Sequence, residues 1–237
     1  MKYSVEDLRQ ALFRITDALI EAKDLLTDID NISGDGDLGI SMEKGATTIR
    51  RELELPDEAS QENCISDLLM RCSSMLNKEA PSTMGTLTSL AIADVARMMQ
   101  GKSFFEDKDI LQIPQSMAQT IMIYGRAQVG DKTVLDALLP LFEALTDRYQ
   151  SSGGNLDLAV TFACEETFRA VNGTKGWIAR IGRAKWFANR SKNCQDGGAT
   201  VYAIAVSAMC GCQYRTMLDH YRKNYYVFEP EFARLQP

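Results

Sequence analysis

Apolar residues recur along most of this chain at steps of three and four. From Leu8 through Ala11, Leu12, Ile15, Leu19, Ala22, Leu25 and Leu26 they fall on one face of a single predicted helix. Ser4-Val5-Glu6-Asp7 supplies its capping start, a hydroxyl followed three residues later by a carboxylate. The same spacing predicts helices through Ile65, Leu68, Leu69, Cys72, Met75 and Leu76, through Leu135, Leu138, Leu139, Phe142 and Leu145, and through Leu156, Ala159, Val160, Ala163, Thr167 and Ala170. Two runs of small apolar residues, Thr86 to Met99 and Gly198 to Met209, predict helices buried on more than one face. No segment alternates convincingly with period two, and the one strand-like fragment is Tyr225 to Phe228.

Roughly seven or eight helices with short connections predict an all-α bundle or helical barrel of mostly antiparallel neighbours. The expected irregular segments are Thr27 to Gly39, Pro56 to Ser60, Lys78 to Gly85, Gly125 to Lys132, Arg183 to Gly197, and a tail beyond about Arg215. One domain over residues 1–214, followed by a tail over 215–237, is the expected organisation.

Composition narrows the chemistry. A chain of 237 residues with 45% hydrophobic content can fill one core. Its net charge of -6 argues against nucleic-acid or anionic-membrane partners. No apolar run approaches the ~18 residues of a membrane span, and Met1-Lys2-Tyr3-Ser4 lacks the apolar core of a signal peptide, so a cytoplasmic protein is expected. The six cysteines form no CxxC pair and the single histidine, His220, completes no zinc set with them. A lone histidine also disfavours His-pair and Ser-His-Asp mechanisms, which leaves carboxylates, metals or a partner to carry the chemistry.

Asp28-Ile-Asp30-Asn-Ile-Ser-Gly34-Asp35-Gly36-Asp37-Leu38-Gly39 puts four carboxylates into ten residues, interleaved with three glycines. Carboxylates crowded in this way repel one another unless a cation lies between them. Magnesium takes oxygen ligands, commonly one or two carboxylates plus phosphate oxygens, so the cluster suits a bridge to a nucleotide. A solvated acidic turn is the plainer alternative. An EF-hand does not fit, because no choice of first aspartate puts Gly at position six and Glu at twelve. An aspartyl-phosphate enzyme would need a strand leading into Asp28 and Asp30, where the periodicity is helical.

Three further loops combine glycine with polar residues. Pro81-Ser82-Thr83-Met84-Gly85-Thr86 precedes a helix and reads as an N-cap or a phosphate cradle. In Gly130-Asp131-Lys132-Thr133, Asp131 or Thr133 is placed to cap the next helix. Gly182-Arg183-Ala184 leads to Arg190 and then to Gln195-Asp196-Gly197-Gly198-Ala199; Arg190 reads equally as a phosphate clamp or as a surface residue paired with a carboxylate. Trp177 and Trp186 flank this stretch and read as packing residues or as part of the site.

Taken together and in order, these segments resemble the L subunit, or L-type domain, of bacterial dihydroxyacetone kinases, over about residues 5–213. The resemblance implies an eight-helix antiparallel up-and-down barrel with nucleotide bound at one end. It implies Asp30, Asp35 and Asp37 as ligands of two magnesium ions that hold ADP or ATP. It further implies nucleotide contacts from Leu38, Ser82, Thr83, Gly85, Thr86, Gly130, Thr133, Asp196 and Gly198, and an arginine near the phosphates at Arg190. In that family a separate K subunit holds dihydroxyacetone on its own histidine, and the L subunit delivers the phosphoryl group. Phosphotransferase-coupled members add an M subunit that rephosphorylates bound ADP, whereas ATP-dependent relatives exchange nucleotide; a homodimer is a further assembly the resemblance allows. Two other readings stay open: a component acting on another acceptor, as in the related fatty-acid kinases, and a nucleotide-binding regulatory partner that transfers nothing.

Overall fold

In the computed structural model, which describes residues 1–55, 64–212 and 214–224, the apolar stripes become helices. They are α1 (Val5–Glu21), α2 (Lys23–Ser33), α3 (Leu38–Leu53), α4 (Ile65–Glu79), α5 (Thr83–Met98), α6 (Asp107–Gly125), α7 (Leu135–Ser151), α8 (Leu156–Gly173), α9 (Ala188–Ser191), α10 (Gly197–Met209) and α11 (Tyr214–Asn224), with a 3-10 helix at Arg183–Phe187. Two short strands, β1 (Lys2–Tyr3) and β2 (Phe105–Glu106), pair antiparallel with Tyr3 opposite Phe105.

Helix α1 packs on α3, and from there each helix packs on the next, α3 on α4 through to α7 on α8. Helix α8 meets α10, and α10 returns to α1, which closes a ring of eight helices. This is the expected all-α barrel. Helix α10 is apolar nearly all round, with Ala199, Val201, Tyr202, Ala203 and Ile204 among its buried residues. A helix without a polar face must be covered on several sides, and neighbours α1, α2, α7, α8 and α11 do so.

The capping start at Ser4 forms as expected: its hydroxyl accepts from Asp7 N–H at 3.3 Å while the Asp7 carboxylate accepts from Ser4 N–H at 2.7 Å. The first stripe, however, is two helices rather than one. Ala22, at φ -84° and ψ -2°, ends α1 and begins α2. A buried alanine that turns the chain without glycine or proline leaves the apolar period intact, so the sequence shows no break there. Leu25, Leu26, Ile29 and Ile32 then carry α2 as far as Ser33, which moves Asp28 and Asp30 from the expected loop onto a helix.

The tail is also corrected. Residues 214–224 form α11, because Met217, Leu218 and Tyr221 share one buried face against the main core. The expected loop Lys78 to Gly85 shrinks to residues 80–82. The segments Pro56 to Ser60 and Tyr225 to Phe228 lie outside the described residues. No helix among the described residues is long and apolar enough to cross a membrane.

Candidate metal centre

Asp30 lies on the last turn of α2, Asp35 in the connecting loop, and Asp37 at the N-terminal boundary of α3. One carboxylate oxygen of each falls within 4.8 Å of the other two. The loop glycines make this convergence possible. Gly36 has φ +79°, and Gly39 packs so tightly that a Cβ there would collide with the Lys23 carbonyl oxygen and the Thr27 hydroxyl. Helix α3 therefore starts directly against α2.

The three carboxylates differ electrostatically. Asp30 is half-buried, and burial pushes its pKa up, although the Leu38 N–H donates to its Oδ2 at 3.2 Å; Asp35 and Asp37 raise it further. Asp35 is exposed, and the Arg183 guanidinium holds its carboxyl below the usual range. Arg183 Nη1 donates to Asp35 Oδ1 and, at 3.0 Å, to Asp37 Oδ1. Three hard oxygen donors gathered around one point, one of them destabilised by its neighbours' charge, fit a divalent cation such as magnesium.

The other expected site residues gather at this same end of the barrel. Gly197 and Gly198 open α10, and each touches a different loop. A Cβ on Gly197 would stand 2.8 Å from Leu38 Cδ2; one on Gly198 would stand 2.9 Å from Val134 Cγ1 and 3.5 Å from Met84 Sδ. The first turn of α10 thus joins the aspartate loop to the N-termini of α5 and α7. Asp196 caps α10, its Oδ1 accepting from Ala199 N–H at 2.7 Å, and burial pushes its pKa up to about 6. Ser82 caps α5 by accepting from Gly85 N–H at 3.0 Å, and this leaves Thr83 and Thr86 exposed on the first turn.

The Gly130 loop works differently from its sequence reading. Asp136, inside α7, accepts from Gly130 N–H at 2.6 Å and Thr133 N–H at 2.7 Å. Asp131 turns back to accept from Gln128 N–H, while Thr133 Oγ1 accepts from Leu135 N–H at 3.2 Å. The carboxylate that organises the loop is Asp136, because as the second residue of α7, on its first turn, it faces the preceding N–H groups. Lys132, only 3% exposed, sends its ammonium inward to three carbonyl oxygens: Trp177 at 3.2 Å, Ser191 at 2.5 Å and Cys194 at 2.8 Å.

Among the described residues Arg190 pairs with no carboxylate. Its Nη2 donates to the Asn31 carbonyl at 2.6 Å and its guanidinium lies over the Phe187 ring at 5.3 Å. The arginine that reaches the aspartates is Arg183. Neither Arg183 as the partner of the aspartates nor Lys132 as a buried brace is read from the sequence, although both stand in the motifs singled out above. Trp177 and Trp186 are exposed rather than packed in the core.

Known proteins are similar to this chain over different extents. The chain is 29% identical over 181 residues to an L-erythrulose kinase of Pectobacterium atrosepticum, covering 76% of this chain and 30% of that protein. It is 28% identical over 191 residues to the Escherichia coli PEP-dependent dihydroxyacetone kinase, ADP-binding subunit DhaL, covering 80% of this chain and 88% of that one. Human triokinase/FMN cyclase is 27% identical over 199 residues, or 33% of its length. The chain spans about a third of the length of the erythrulose kinases it matches. The crystal structure of the C. freundii dihydroxyacetone kinase has the same fold, with a TM-score of 0.60 at 19% identity over 86% of this chain and 34% of that one. A second structure of that enzyme, in complex with AMP-PNP and Mg2+, gives 0.58 at 20%. The family model of the DAK2 domain matches residues 32–211, most of the chain, with Asp35 and Asp37 inside the match and Asp30 just before it, and the chain belongs to the DAK2-domain family.

Proposed function

We propose that this chain is the nucleotide-binding, phosphoryl-transferring part of a short-ketose kinase, and that it holds ADP or ATP through two magnesium ions on Asp30, Asp35 and Asp37. The observation that carries this reading is the convergence of those carboxylates within 4.8 Å, at the end of the barrel where α5 and α10 begin. Bound there, magnesium would neutralise charge on the nucleotide phosphates. The chain's own part is positional. The aspartates hold the metal-nucleotide, and the first turn of α5, with Ser82, Thr83, Gly85 and Thr86, offers the positive end of a helix dipole to phosphate oxygens. In this reading Leu38, Gly130, Thr133, Asp196 and Gly198 contact the nucleotide, and Arg190 lies near its phosphates.

The acceptor belongs to a partner in this reading. His220 packs edge-on against Phe168, with ring centroids 5.0 Å apart, which makes it part of the α8–α11 packing. In this reading a K-type subunit supplies the group that holds dihydroxyacetone or a related ketose. The relatives that act on erythrulose widen the acceptor class to four carbons. The PEP-dependent, ADP-binding relative supports a resident ADP recharged by an M-type phosphotransferase subunit. Cytoplasmic location and a homodimer are compatible extensions of the same reading.

Calorimetric titration of ADP and ATP into metal-stripped protein, with and without magnesium and repeated on Asp35→Asn, tests the proposal. Magnesium-dependent binding that is lost in the variant is expected. Binding equally strong without metal would remove the aspartate site. Nucleotide binding without turnover beside a cognate K-type subunit would leave a regulatory partner instead of a kinase.

A further inference from the structure

Asp35 and Asp37 already have a counter-ion supplied by the chain itself, in Arg183. The segment that carries this arginine has a rigid base and a lightly held tip. At the base, Lys132 holds the carbonyls of Trp177, Ser191 and Cys194, Gly176 N–H donates to Lys192 O at 3.0 Å, and Ala179 N–H donates to Ser191 Oγ at 3.1 Å. The tip begins at Gly182, with φ +69°, and continues as the 3-10 helix Arg183–Phe187, which buries none of its side chains. Trp186 on that helix is 83% exposed. Two arginines tie this segment to the aspartate loop: Arg183 to the two carboxylates, and Arg190 to the Asn31 carbonyl.

We propose that Arg183 and a divalent cation are alternative counter-ions of the Asp35–Asp37 pair, so that metal entry releases Arg183 and frees the 182–187 tip from the aspartate loop. The inference rests on the reading of Asp30, Asp35 and Asp37 as metal ligands. Magnesium sits about 2.0–2.1 Å from its oxygens, and a doubly charged ion at that range repels a guanidinium seated between the same two carboxylates. Both sides of the existing ion pair are about half exposed, so water screens it and breaking it is cheap. Until the metal arrives, the same pair offsets the repulsion among three carboxylates and keeps the loop assembled. The arginine thus serves as a latch on the metal site. No covalent bond changes; one cation replaces another.

The full chain, stripped of metal, is titrated with Mn2+ alone, with the free ion followed by electron paramagnetic resonance. In parallel, Mg2+ alone is added to Trp177→Phe protein, in which Trp186 is the remaining tryptophan, and its emission is recorded. Arg183→Gln is expected to bind Mn2+ about fivefold more tightly than wild type, since no exposed ion pair has to be broken first. Mg2+ is expected to shift Trp186 emission in Trp177→Phe, and to leave it unmoved when Arg183→Gln is added. Equal or weaker Mn2+ binding by Arg183→Gln overturns the exchange while the metal site stands. Mn2+ binding that is absent from both proteins, or unchanged in Asp35→Asn, removes the metal reading and the exchange with it.

Discussion

The Lys132 ammonium nitrogen lies 2.8 Å from the carbonyl oxygen of Cys194, a residue 62 positions further along the chain. Its two other acceptors, on Trp177 and Ser191, belong to the same returning segment. One buried cation therefore gathers both ends of the stretch that carries Arg183 and leads into the Asp196 cap. Burial lowers the Lys132 pKa, and Cys194 and Asp196 partly restore it.

Lys132→Met should fold less stably, because a similar volume is kept while three carbonyl oxygens lose their donor. A loss of about 3 kcal/mol is expected, or about 6–12 °C in melting temperature for a chain of this size. Differential scanning calorimetry reads it. A change of under about 1 kcal/mol would mean that water replaces the ammonium without consequence.

Gly39→Ala should destabilise although alanine is the better helix former. The added Cβ would meet the Lys23 carbonyl and the Thr27 hydroxyl, so α2 and α3 must separate at a cost of about 2 kcal/mol or more. Gly173→Ala is the control: it lies at the end of α8 with nothing within 4 Å of the new Cβ, and the ordinary gain of up to about 1 kcal/mol applies. Urea midpoints of the two variants should move in opposite directions.

Asp196 provides a pH signature. Burial pushes it to about 6, above the ordinary aspartate value, with the Ala199 N–H and then the Lys132 charge opposing the shift. The folded state therefore binds this proton more tightly than the unfolded chain does. The resulting stability is fully present below the unfolded pKa of about 4 and is lost as pH rises through about 6. Relative to Asp196→Asn, which keeps a capping oxygen but cannot ionise, wild type should lose stability on the order of 2 kcal/mol between pH 4 and 7. Parallel stability curves for the two proteins would contradict the assignment.

Asp30→Asn separates function from stability. Asn retains an oxygen for the Leu38 N–H and removes the charge that Asp35 and Asp37 repel. In chelator the variant should be as stable as wild type, or more so by about 0.5 kcal/mol. Magnesium-dependent nucleotide affinity should fall at least about tenfold, as befits a lost carboxylate ligand. Melting curves in chelator and titration with Mg-ADP measure the two effects independently.

Periodicity alone determined the helical class and most of the barrel, since stripes such as Leu135, Leu138 and Leu145 bury one face whatever their neighbours are. The carboxylate cluster was legible too, because Asp30, Asp35 and Asp37, which converge in the fold, lie within eight residues of one another among glycines. Tertiary structure decided the rest. The break at Ala22 leaves no trace in a residue pattern that continues through it, and α11 became visible only once its Leu218 and Tyr221 found the core. The pairing of Arg183 with Asp35 and Asp37 depended on how residues 182–190 fold back. So did the placing of Lys132 inside rather than on the surface. Both are pairings between residues far apart in the chain, and local propensity carries no information about which distant carbonyl or carboxylate a cation will meet.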